Sequence, residues 1–266
     1  MSYYEHYQVS ESRDDIDAAI RAAEETIASA SKTDREYVLY LSALGSALEV
    51  RFVDFHEVRD LERSIKFHNE ALKLAASSGI TLAGFQCNLA NALADRFFYA
   101  KEERDALVAT DLYREASKEG LQRTPEYGLN AAHSWMYFAY RRRKWHEVVE
   151  AYDFAAPMQE QLQRLQAERS HKEAWLRGDQ GFSVIATVAL TALGRAHRAV
   201  GVLEAGRVRL LSEVLEREHP AFDRLTQLGR IDLVRRYHEA VLKFKNEVAQ
   251  DIDVLLHLQS IANEGA

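Results

Sequence analysis

Cysteine occurs once in this chain, as Cys87, and proline three times in 266 residues. A single cysteine excludes an internal disulfide and a thiolate-rich metal site, and it makes a reducing cytoplasm the default setting. With only twelve glycines as well, the chain has few residues that punctuate tight turns. Long helices with short connections are therefore expected rather than a many-turned sheet. Long hydrophobic runs are also missing: the most apolar stretch, near Val184 to Leu193, is broken by Thr and Ala and is too short to span a bilayer. The opening MSYYEHYQVSESRDD has no apolar core of the kind a signal peptide needs. Nor is there a surplus of positive charge. The formal net charge is −7, whereas a nucleic-acid binder draws its affinity from Lys and Arg on phosphate. The one basic run, Arg141 to Lys144, reads as a solvated helix end, where cations are favoured. A soluble intracellular protein is expected, with no nucleic-acid partner and no membrane.

What is present is a folded protein's composition, 47% hydrophobic and 28% charged, arranged in an internal repeat. Leu41 to Phe52 (LSALGSALEVRF) matches Phe85 to Phe97 (FQCNLANALADRF). Leu44 aligns with Leu89, Ala47 with Ala92, Leu48 with Leu93, Arg51 with Arg96 and Phe52 with Phe97, each 45 residues apart. The offset continues through Asp60 and Asp105, Glu70 and Glu115, Ala71 and Ala116. Apolar residues recur at three and four within each unit, the spacing of one helical face. Each unit is therefore a helical hairpin that must stack on the next to bury its apolar side. The pattern predicts helices near 14–29, 34–53, 57–77, 80–99, 105–119, 126–142, 145–167, 171–193 and 195–217. Pro125 is placed for a helix start and Gly194 for a turn. Leucines at helical spacing continue past Pro220 to about Leu256.

In the third unit, WMYFAYRRRKWHEVVEAYDFA resembles a tetratricopeptide repeat, with Trp135 in the first helix, Trp145 opening the second, and Val148, Tyr152 and Ala155 at the family's spacing. Thr191 to Arg217 (TALGRAHRAVGVLEAGRVRLLSEVLER) resembles the closing repeat of the helical arrays that precede caspase-like CHAT protease domains. Asp15 to Thr26 and the period of about 45 are typical of that group. The resemblance implies an all-α, right-handed α-solenoid of about four antiparallel helix pairs with flanking helices. Its expected layout is a polar segment over 1–13, a repeat array over 14–217 and capping helices over 218–266. A CHAT protease would add a catalytic His and Cys on a following α/β domain. This chain keeps a helical pattern to Ala266 and has its one cysteine inside a repeat helix, so protease activity is not carried over.

Candidate chemistry is thin. Cys87 stands between Phe85 and Leu89 as a small core residue rather than a nucleophile. His146 with Glu147 and Glu150, or His133 with a distant carboxylate, could approach a metal, but no HExxH spacing occurs and no cofactor is expected. Arg177 to Gly181 (RGDQG) lacks a preceding strand and reads as a turn rather than a phosphate cradle. Arg51 and Arg96 recur with the repeat and read as inter-repeat bonds. The resemblance implies that first helices line a concave groove. It places Asn130, His133, Tyr137, Tyr140 and Arg141 of the third unit there, with Asn88, Asn91 and Asp95 of the second and Ser42, Ser46 and Glu49 of the first. Amides that bond a peptide backbone and a cation that meets a carboxylate suit an extended peptide. A non-enzymatic scaffold holding a protein or peptide partner is the first expectation. An enzyme or small-molecule site around His133, Tyr137 and Tyr140 is the alternative. A homodimer through the helix near 230–261 is a third possibility.

Overall fold

In the computed structural model, residues 12–32, 34, 36–168, 181–217, 225–236 and 239 are described. Among them the fold is all-α. The chain divides into two compact units, Met1–Ala174 and Trp175–Ala266. The first holds α1 (Arg13–Ser29), α2 (Tyr37–Phe55), α3 (Val58–Ser77), α4 (Ala83–Ala100), α5 (Glu103–Arg123), α6 (Pro125–Arg141) and α7 (Trp145–Glu168). The second holds α8 (Phe182–Ala192) and α9 (Ala196–Arg217). The expected RGDQG turn and the terminal helix proposed for dimerisation lie mostly outside the described residues.

The 45-residue period reappears in the backbone itself. α2 and α4 each end on a left-handed residue, His56 at φ 59° and Lys101 at φ 60°. Their amides donate to the carbonyls of Phe52 and Phe97. That single left-handed residue stops each helix and lets the next begin two residues on. Acidic side chains favour the new N-termini, Asp60 in α3 and both Glu103 and Asp105 in α5. Pro125 occupies the first turn of α6, where its missing N–H costs nothing.

Each helix of the first unit packs on its neighbours in sequence, and the alternate helices α2, α4 and α6 also touch in succession. The core is built from the i, i+3, i+4 faces: Leu41, Leu44 and Leu48 on α2, Leu61 and Ile65 on α3, Ala90 and Leu93 on α4, Trp135, Met136 and Phe138 on α6. Each fully buried leucine contributes roughly 1.5–3 kcal/mol of transfer free energy. Small residues set the closest approach. A Cβ added at Gly120 of α5 would lie 2.1 Å from the Gly128 Cα of α6, so only glycine lets those two backbones meet across the Thr124 turn. In the second unit, Gly194 at φ 71° joins α8 to α9, and Ala186, Ala189, Leu190, Ala199 and Val202 are buried.

Candidate functional site

Two sets of charged residues follow the repeat, and they are treated differently by the fold. The first set forms joints. The Arg51 Nε and Nη2 atoms donate to Asp60 Oδ2 and Oδ1 at 2.5 and 3.0 Å, while Nη1 reaches Asp17 of α1 at 2.7 Å. One period later Arg96 clasps Asp105 at 2.7 and 2.8 Å and extends Nη1 to Glu62 of α3 at 2.9 Å. Each arginine thus ties its own hairpin together and reaches back to the preceding one. Hydrogen bonds to Asp60 and to Asp105 hold the two guanidinium groups well above their usual pKa range. The forked guanidinium suits such paired recognition of carboxylates.

The third junction departs from the pattern. Arg142, expected as part of a solvated helix end, is a correction: its side chain is 8% exposed. The turn at Arg143, φ 55°, folds it inward so that its guanidinium lies 4.0 Å over the Phe138 ring and donates to Glu147 and Thr110. Burial lowers its pKa. Glu150 accepts from Arg114 at 2.7 Å. The two carboxylates nearest His146 in sequence are therefore engaged in ion pairs, and among the described residues no group of three potential ligands could hold a metal ion.

The second set lies on the face carried by α2, α4 and α6. Asn88 donates to Ser42 Oγ at 3.0 Å across the two helices, and Asn91 accepts from the Tyr113 hydroxyl at 2.6 Å. Both amides are half-buried and partly used within the fold. Ser46 is half-buried as well. Glu49, Asp95 and Arg141, spaced 46 residues apart, bring one charge from each of the three helices. Burial, with the charge of Glu49 added, pushes the Asp95 carboxyl up to about 7, against the opposite pull of Arg141. The Arg141 guanidinium stands 3.6 Å over the Phe98 ring and 5.7 Å over Tyr137. Among the described residues neither Glu49 nor Asp95 has an ion pair with a lysine or arginine.

Asn130, His133, Tyr137 and Arg141 form one stripe of α6 at helical spacing, in which Asn130, Tyr137 and Arg141 are exposed and His133 is half-buried. Tyr137 is 55% exposed, and Tyr140, on the border of the stripe, packs edge-on to Trp145. Burial lowers the His133 pKa to about 4, which makes the imidazole neutral at physiological pH and a weak base. Cys87 is buried, and burial pushes its thiol up to about 12 despite a hydrogen bond with Ser134. A thiol so raised is not a nucleophile at neutral pH.

Sequence reasoning missed His68. It is fully buried on α3, neither ring nitrogen has a hydrogen bond, and Nε2 stands 3.7 Å from Glu49 Oε2. A Cβ at Gly45 would come within 2.7–2.9 Å of its ring, so the glycine makes the space the imidazole fills. The signal was available in the repeat alignment: Gly45 and His68 stand where the next unit has Ala90 and Tyr113, a larger first-helix residue beside a different ring.

No family model matches the chain, and no curated protein or solved structure matches it.

Proposed function

We propose that this chain is a non-enzymatic scaffold or adaptor, a right-handed tetratricopeptide-like solenoid whose face on α2, α4 and α6 holds an extended segment of a partner protein. The observation that carries the reading is the composition of that face. It combines exposed Tyr137, the cation Arg141 stacked on Phe98, and the half-buried carboxylates Glu49 and Asp95, contributed by three successive first helices. Aromatic anchors beside directed polar groups are what peptide grooves use, since stacking supplies area and the polar groups set register. The neutral, low-pKa His133 is poorly matched to general acid chemistry, which favours binding over catalysis. By analogy with the arrays that precede CHAT domains, the partner is a protein that the scaffold regulates in the cytoplasm.

The test is capture from native lysate by the wild-type chain and by a Tyr137→Ala/Arg141→Ala variant of equal helicity. A protein held by the first and released by the second supports the groove. Identical recoveries, or none, remove it.

A further inference from the structure

The proposed groove has one feature that narrows its ligand. Glu49 and Asp95 stand on α2 and α4 two helical turns beyond Ser42 and Asn88, which bond across those helices at 3.0 Å, and among the described residues neither carboxylate has an ion pair with a lysine or arginine. At the joints of the same repeat, every comparable carboxylate is clasped by arginine: Asp60 by Arg51 and Asp105 by Arg96. The exception therefore reflects position rather than a shortage of arginine. Arg141, whose charge acts on Asp95, is turned over the faces of Phe98 and Tyr137 instead of being joined to it.

A second, independent observation points into the same place. His68 lies beneath Glu49 with 0% side-chain exposure, both ring nitrogens lack hydrogen bonds, and Nε2 is 3.7 Å from the Glu49 carboxylate, beyond hydrogen-bonding length. Because that ring gives Glu49 no hydrogen bond, the carboxylate, 19% exposed, keeps acceptor positions open on its solvent side that a donor can fill. The head group that offers only donors, carries a positive charge and can serve carboxylates from two neighbouring helices is an ammonium or guanidinium. A metal ion is the poorer fit, because the described His, Cys, Asp and Glu side chains nowhere gather as three potential ligands.

We infer that Glu49 and Asp95 form a receptor for the cationic side chain of a lysine or arginine in the bound segment, with His68 behind the pair and Tyr137 flanking it. This rests on the peptide-groove reading. It adds a selectivity: the partner presents a basic residue, and the aromatic stripe of α6 packs against the residues beside it.

The test uses the full-length chain and a phage-displayed library of random twelve-residue peptides, selected in parallel on wild type, Glu49→Gln, Asp95→Asn and Tyr137→Ala. The expected result is enrichment of peptides with Lys or Arg at one recurrent position on wild type. Those peptides, synthesised and titrated, bind the Glu49→Gln and Asp95→Asn proteins roughly tenfold more weakly, the scale of one charge-assisted hydrogen bond. They retain their affinity when the basic residue is replaced by citrulline or norleucine only if the receptor is wrong. Enriched peptides with no recurrent basic residue, or a basic preference that survives both carboxylate variants, overturn the inference and leave the groove standing. Recovery of no peptide by wild type, or of peptides indifferent to Tyr137→Ala, removes the groove reading itself. Circular dichroism of each variant, with near-isosteric changes at both carboxylates, separates lost binding from lost fold.

Discussion

The joints at Arg51 and Arg96 and the face at Glu49 and Asp95 are built from the same repeat and differ in one respect, the presence of a matched cation. At the joints Asp60 and Asp105 are each about 3% exposed and fully clasped. On the face the Asp95 carboxyl is half-buried without an ion pair, and burial first, then the like charge of Glu49, raises its proton affinity. Paired charge holds neighbouring hairpins in register, whereas unpaired charge on a reachable face costs stability and is available to a ligand.

The largest expected effect comes from breaking a joint. Arg96→Leu strands the buried carboxylate of Asp105 and lowers stability by about 3 kcal/mol, the cost of removing one partner of a buried pair. Arg96→Leu/Asp105→Leu recovers most of it, because the uncompensated charge is gone. Urea midpoints of the two variants and wild type measure this. A double variant as unstable as the single would mean that the joint acts through shape and not charge.

The face responds in the opposite sense. Asp95 has a folded-state pKa of about 7 against an ordinary 3.8, so the native state holds a proton the unfolded chain has released. Its contribution to stability is present below the unfolded value and is lost as pH rises through 7. Solvent contact at the half-buried carboxyl brings the full shift down to about 2 kcal/mol of destabilisation at pH 8. Asp95→Asn accordingly stabilises the protein by about that amount at pH 8 and changes little below pH 4. The charges that act there are Glu49 on α2 and Arg141 on α6, with His68 of α3 behind Glu49.

His133 supplies a counterweight of smaller expected size. Its pKa is depressed to about 4, so its contribution is complete above pH 6.5 and is lost as pH falls toward 4. Between those values the proton uptake of Asp95 on folding cancels the proton release of His133, and together they give little slope. Asp95→Asn exposes a stability that falls with acid over pH 6.5 to 4, and His133→Gln exposes one that falls with base over pH 4 to 7. Thermal midpoints across that range in the two variants read each slope. The smallest effect is at Tyr137: 55% exposed, it can be changed to Ala within about 0.5 kcal/mol of wild-type stability, while binding to a groove ligand is lost.

Much of this fold is legible in the order of its residues. The 45-residue alignment placed Arg51 with Arg96 and Asp60 with Asp105, and the joints use those four residues. Helix boundaries fall within a few residues, apart from the start expected near 171, which lies outside the described residues, because leucine and alanine spacing, Pro125 and Gly194 mark them. The stripe of α6 was legible for the same reason. What the sequence hid was side-chain direction. Arg142 reads as solvent-exposed by type, and only the left-handed turn at Arg143 sends it over Phe138. His68 lies in an amphipathic helix with nothing to mark it, and the space for its ring is made by Gly45 one helix earlier. The 46-residue row of Glu49, Asp95 and Arg141 is one residue off the repeat itself. A residue on one first helix meets the residue one step beyond its equivalent on the next, and that offset comes from helix packing rather than from the pattern of residue types.

Asp95 is a half-buried carboxyl that no lysine or arginine among the described residues pairs with, and burial beside Glu49 raises its proton affinity. A site-resolved NMR titration of its carboxyl carbon, in wild type and in Glu49→Gln, tests this directly. A midpoint near 7 in wild type that moves down in Glu49→Gln is the result this account requires. A midpoint in the ordinary aspartate range, unmoved by the Glu49 change, would mean that the carboxylate is already compensated and that no cationic partner is called for.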